Sequence, residues 1–215
     1  MKRFEEDIDS LIEQTVYMGR LTTDMIEKSI HAFCEGDVDL AAEVEDDFGR
    51  IIRYDAEIED LAIKIMTLFQ PTAIDVRTIV TVLKSITYLE RIAKYSKNIA
   101  IATQYLADKP SFEPVETIRP MGETVVKMVK IVTRGFENRS VEDFDKLTEM
   151  DDFLDRTMRE DLRSIIQFID VNKDSADVCT YYISVLKFLE RCGDHACKMA
   201  EKVNFMVTGM HATIS

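Results

Sequence analysis

Chain-breaking residues are scarce in this sequence, and they are unevenly placed. Seven glycines and four prolines interrupt 215 residues, and three of the prolines, Pro110, Pro114 and Pro120, fall in the one stretch from Asp108 to Pro120. A strand-rich fold turns often and draws on Gly and Pro to do so. A chain that turns so seldom has to run in long helices.

Apolar periodicity divides the chain into six of them. The first, about Phe4 to Phe33, carries Ile8, Leu11, Ile12, Thr15, Met18, Thr22, Met25 and Ile26 at three- and four-residue steps. Glu35-Gly36-Asp37 reads as a stop followed by a new N-cap. The second carries Leu40, Val44, Phe48, Ile51, Tyr54, Ile58, Leu61, Ile65 and Leu68, and Gln70-Pro71 ends it. Pro71 suits the first turn of a third helix, about Ala73 to Tyr105. Past the proline-rich stretch the pattern recurs, with helices over about Met121–Phe136, Val141–Phe168 and Ala176–Val207.

The third and sixth helices are related by a shift of 100 positions. Leu89-Glu90-Arg91 returns as Leu189-Glu190-Arg191, and Ala93, Ser96 and Ala100 meet Gly193, Ala196 and Ala200. Small residues at helical steps let a neighbouring helix approach closely. The expectation is an all-α chain of two tandem three-helix bundles related by an internal repeat: residues 1–108, a linker at 109–120, and residues 121–215.

Composition narrows the function. Hydrophobic residues make up 46% and charged residues 31%, too apolar for disorder. Trp is absent and Met frequent, which suits adaptable helix packing. The net charge of −13 argues against a general binder of nucleic acid and suits a basic partner or a cation. Cys34, Cys179, Cys192 and Cys197 form no Cys-x-x-Cys pair, so reduced thiols are expected. Met1-Lys2-Arg3-Phe4 leads at once into Glu5-Glu6-Asp7, unlike a signal peptide, and no uncharged run approaches the roughly 18 residues of a membrane span. The expectation is a cytoplasmic protein.

The chemistry-bearing feature is a pair of carboxylate pairs. Asp151 and Asp155 are four apart on the fifth helix, and Glu190 and Asp194 four apart on the sixth. Residues at i and i+4 share a helix face, so each pair points one way and repels itself. Two such pairs on sequential antiparallel helices would converge on an oxygen-rich patch suited to Mg, Ca, Mn or Fe. On spacing alone a solvated acidic face is the plainer reading. Lys198 follows Asp194 and Arg159 follows Asp155 by four, so intrahelical ion pairs would neutralise part of the charge.

Longer motifs change that weight. Gln70-Pro71-Thr72-Ala73-Ile74-Asp75-Val76-Arg77, Leu83-Lys84 and Leu89-Glu90-Arg91-Ile92, then Leu189-Glu190-Arg191-Cys192-Gly193-Asp194-His195-Ala196 and Val207-Thr208-Gly209, resemble the PhoU family of phosphate-uptake regulators in order and spacing. The resemblance implies two three-helix bundles side by side, each with a metal-cluster site of iron or zinc built from E/D-x-x-x-D motifs. It implies no enzymatic activity. The partners it implies are the ATPase subunit of a phosphate ABC transporter and a phosphate-sensing histidine kinase. A homodimer is compatible with it; nucleic acid binding and membrane insertion are not part of it. By this resemblance Asp151, Asp155, Glu190 and Asp194 are the metal ligands of the second repeat.

The first repeat departs from the pattern. Glu90 is followed by Ala93 and Lys94 where the family has Gly and Asp, and an ungapped alignment sets Phe48 and Ile52 opposite. Asp55 and Glu59 form a pair one heptad later, a displacement of about 10.5 Å along a helix, too far for metal–oxygen bonds of about 2–2.6 Å. Metal is therefore expected at the second repeat only.

Two other function classes remain. An iron-binding carboxylate bundle, a store or an oxidoreductase, would use Glu-x-x-His motifs. The residues three before His31, His195 and His211 are Lys28, Cys192 and Thr208. An interaction bundle without metal would use the acidic pairs for solubility alone. His195, about 100° around the helix from Asp194, is read as a neighbouring group and not as a ligand. Arg91 and Arg191 are read as ion-pair partners of the adjacent glutamates.

Overall fold

The computed structural model describes residues 2–109 and 116–214. Six helices, α1 (Lys2–Glu35), α2 (Val38–Phe69), α3 (Ala73–Leu106), α4 (Ile118–Asn138), α5 (Asp145–Val171) and α6 (Ala176–Thr208), account for most of them. There is no strand among the described residues. The stripe read along α1 is its buried face: Ile8, Leu11, Thr15, Met18, Thr22, Met25 and Ile26 all lie inside. Burial of such side chains, at roughly 1.5–3 kcal/mol for each large one, is what holds helices of this length straight against one another.

The helix ends follow local chemistry. The Asp37 carboxylate caps α2 by accepting from the Leu40 N–H at 2.9 Å. Gln70 takes a left-handed conformation (φ 46°) and stops α2. Pro71 then lies before α3 and not in its first turn; Asp75 instead closes that turn, accepting from the Thr72 N–H at 3.2 Å and hydroxyl at 2.6 Å. α4 begins at Ile118, inside the expected linker, because Pro120 sits in a first turn where no intrahelical donor is needed. Pro110 and Pro114 lie outside the described residues. α5 begins at Asp145 and not at Val141. Arg139 turns left-handed (φ 50°), the Ser140 N–H reaches the Gly135 carbonyl at 2.9 Å, and the Phe144 ring folds onto Gly135 before the helix can start.

The two halves are arranged about a pseudo-two-fold axis. α3 and α6 run antiparallel along a shared seam. The Thr81 hydroxyl donates to the Lys202 carbonyl (3.2 Å), Tyr88 stacks on His195 (5.8 Å), Tyr95 on Phe188 (5.5 Å) and Tyr105 on Tyr181 (4.1 Å). Midway, the Cys192 thiol faces the carbonyl of Ile92, its own counterpart in the other repeat, at 3.9 Å. On the opposite side α1 and α4 cross in the same manner. Thr133 packs onto Gly19 and Ile30 onto Gly122, so closely that a Cβ on either glycine would meet those side chains at 2.7 and 2.5 Å. A shift of 103 positions exchanges these two contacts, a relation between α1 and α4 that the motif comparison did not reveal. α2 packs against both α1 and α3, whereas α5 rests mainly on α6 and meets the shorter α4 only briefly. The buried apolar side chains form one cluster through both halves.

Candidate functional site

α5 and α6 form an antiparallel hairpin, and it brings the four second-repeat carboxylates to one half-buried patch. Gly193 sets the closeness of the two helices: a Cβ there would meet Leu154 Cδ1 at 2.4 Å, and the Asp151 carboxylate lies just beyond. Burial, then the charges of Asp194 and Asp155, raise the Asp151 carboxyl above the ordinary carboxylate range. Glu190 is raised by burial and by Asp194, with smaller pushes from Asp155 and Asp151, against a downward pull from Arg191. The four groups therefore act on one another.

Neighbouring cations relieve only the rim. Arg159 pairs with Asp155 as its spacing predicts. Lys198 pairs instead with Glu201 at 2.8 Å and leaves Asp194 alone. Arg191 approaches Glu190 at 3.5 Å. The sequence does not single out Cys197, which lies near Asp151: burial, then that carboxylate, pushes the thiol up. Its signal was its position three residues beyond Asp194, on the same face.

The first repeat corrects the register read from the sequence. Asp55 is raised by burial and then by Glu90 and Glu59, so these three carboxylates share a patch after all. The reason is antiparallel geometry. Phe48 lies level with Lys97, whose ammonium sits 5.2 Å from the ring centroid. Seven residues forward on α2 to Asp55 then match seven back on α3 to Glu90. Phe48 thus sits two turns away from the position the ungapped alignment gave it, and Ile52 is 45% exposed. Asp55 stands to Glu90 as Asp155 stands to Glu190, 35 apart in each repeat, so the shift of 100 that relates α3 to α6 also relates α2 to α5, whereas Phe48 and Ile52 correspond to a shift of 103. Lys94 is exposed at the rim of the first patch and makes no ion pair among the described residues.

The second-repeat set has the donor chemistry of a hard-cation site, with two carboxylates from each of two helices. It is not a preformed ligand sphere. Among the described residues, no three His, Cys, Asp or Glu side chains stand close enough to hold a single ion. Histidine stays out of both patches. His195 lies in the α3/α6 seam between Tyr88 and Tyr95 (5.8 and 5.9 Å), its imidazole lowered by burial and by Arg91 and Arg191 against Asp194. His211 stacks on Phe205 at 4.4 Å, and His31 borders a groove between α1 and α4. That face carries paired charges, Arg20 with Glu137 and Lys130 with Glu27. No helix among the described residues is long and apolar enough to cross a membrane.

Comparison with known proteins places this geometry. The PhoU domain matches residues 15–103 and again 118–203. The chain is 31% identical over 209 residues to the phosphate-specific transport system accessory protein PhoU homolog of Zymomonas mobilis, covering 97% of this chain and 88% of that one. The homolog of the same name from Clostridium acetobutylicum is 26% identical over 215 residues, covering 100% of this chain and 98% of its own length. Among solved structures, PhoU from Pseudomonas aeruginosa superposes with a TM-score of 0.91 at 25% identity, over 96% of this chain and 100% of that one. The phosphate transport system regulatory protein PhoU from Streptococcus pneumoniae gives 0.88 at 20% identity, over 97% and 99%, a likeness of fold.

Proposed function

The chain belongs to the PhoU family, and from that premise we propose that it is a non-enzymatic regulator of phosphate uptake and phosphate homeostasis in the cytoplasm. It acts with the phosphate ABC transporter through the ATPase subunit, and with a phosphate-sensing histidine kinase. The observation that carries this reading is the doubled domain match, together with full-length relatives named as accessory proteins of phosphate transport. Deleting the gene is expected to derepress phosphate uptake and phosphate-starvation genes in phosphate-rich medium. Unchanged uptake and expression in the deletion strain would overturn the reading.

Asp151, Asp155, Glu190 and Asp194 would hold a cation cluster of iron or zinc, whose contribution is positive charge that joins α5 to α6 and relieves the repulsion between their carboxylates. Asp55, Glu59 and Glu90 would form a weaker counterpart, with three carboxylates in place of four and the Lys94 ammonium nearby. Metal stoichiometry and anomalous scattering on protein purified without chelator test this ranking. The second repeat is expected to fill first, and Asp151→Ala/Glu190→Ala to remove more metal than Asp55→Ala/Glu90→Ala. The opposite order would reverse the assignment. Protein free of metal under all conditions would leave an interaction bundle whose acidic pairs only keep it soluble.

A further inference from the structure

We propose that the exposed ridge of α3 and α6 is a docking face for an acidic protein surface that itself has two-fold symmetry. The inference rests on the reading of the chain as a transporter accessory protein and assigns the surface that reading leaves open. Charge is segregated in this molecule. The whole chain is strongly acidic at −13, and α2 carries nine acidic residues against three basic ones. α3 reverses this, with five basic residues against two acidic. Lys84 and Arg91 of α3 and Lys187 of α6 are exposed and make no ion pair among the described residues. Arg191 is exposed too, its only ion pair among the described residues a 3.5 Å contact with its chain neighbour Glu190.

These cations flank the aromatic seam. Tyr88 on His195 and Tyr95 on Phe188 are exchanged by the same shift of 100 that exchanges Arg91 with Arg191. Arg91 and Arg191 are both exposed and are exchanged by the pseudo-two-fold, one on each helix of the stacked seam. Outside them lie the two carboxylate patches, one in each α2/α3 and α5/α6 groove. Across the molecule the face therefore reads acidic, basic, aromatic, basic, acidic. A continuous polyanion, whether a bilayer of anionic lipid or a nucleic acid, would meet the outer carboxylates as well as the ridge and be repelled. A protein surface can place acidic side chains against the ridge alone. Because the ridge presents an arginine beside a stacked ring pair twice, a partner that repeats one acidic element across its own two-fold would engage both arginines alike.

The test uses the full chain and the purified ATPase subunit of the phosphate transporter. Arg91→Glu/Lys187→Glu is expected to weaken binding by about tenfold or more, and the wild-type affinity to fall with added salt. Lys127→Glu on the opposite α1/α4 face is expected to change neither, and Arg91→Gln/Lys187→Gln to give a smaller loss with the same thermal midpoint as wild type. One chain per pair of ATPase subunits is the expected stoichiometry. Wild-type binding that ignores the charge reversal would overturn the assigned surface and leave the functional reading standing. No wild-type binding would overturn both. One chain on each ATPase subunit would overturn the two-fold match. Charge-sensitive binding to phosphatidylglycerol vesicles, to inorganic phosphate or to a second copy of the chain, in place of the ATPase, would overturn the assignment to a protein partner.

Discussion

At the scale of single residues, the carboxylates on α5 and α6 define what the site costs the fold. Asp151 and Glu190 are raised in the folded chain, so between their folded and unfolded values the native state binds more protons than the unfolded one. Their unfavourable contribution is thus fully present at neutral pH. It is removed as pH falls through the folded values toward the ordinary 3.8 and 4.5. Asp151→Asn/Glu190→Gln is expected to raise stability at neutral pH by about 0.2–0.5 kcal/mol for each like-charge pair relieved. The gain should vanish in mild acid, as read from thermal melts across pH. A double variant less stable than wild type at pH 7 without metal would show that the pair is satisfied by other groups. Added zinc or iron should raise the melting temperature of wild type at neutral pH and not that of the variant.

Among the elements, α6 packs against α3, α4 and α5 at once. Its small residues are what make this possible: Gly193, Ala196 and Ala200 are all buried, as are Ala93, Ser96 and Ala100 on α3. Gly193→Ala would displace only the flexible end of Leu154, a small perturbation. Gly193→Leu would force α5 away from α6, and about 1–3 kcal/mol of destabilisation is expected from overpacking. Denaturant melts of the two variants against wild type measure it. An unchanged midpoint for Gly193→Leu would mean that α5 is free to move off. α5 itself was the hardest element to bound from the sequence, since the apolar Val141 and Phe144 look like a first turn. Phe144 is buried against Gly135 by tertiary packing, and that contact delays the helix.

For the molecule as a whole, the single buried cluster predicts cooperative behaviour. The α3/α6 seam and the α1/α4 crossing join the repeats through fully buried side chains such as Met25, Met128, Ile92 and Cys192. Far-ultraviolet circular dichroism and tyrosine fluorescence are expected to report one coincident unfolding transition. Two separated transitions would show that each bundle is stable alone. The exposed ion pairs across α1 and α4, Arg20 with Glu137 and Arg119 with Glu35, should add little to that stability, about 0–1 kcal/mol each.

Helix number, helix order and the repeat were legible in the sequence because they depend on local periodicity and on two strings of motif residues. So were the four second-repeat carboxylates, whose i, i+4 spacing is a property of one helix at a time. The relation between helices was not legible. Whether Asp55 meets Glu90 depends on where the α2/α3 hairpin turns, and that is fixed by packing: Asp55 takes the place of Asp155, at a shift of 100 and not of 103. The place of His195 depends likewise on the register of α3 against α6, which puts two tyrosines beside it. Net charge named a basic partner or a cation, since a sum over the chain carries no position. Only the packing of α3 beside α6 gathers the cations of the ridge on one face, because contact between distant segments is set by how their surfaces fit and not by anything within either segment.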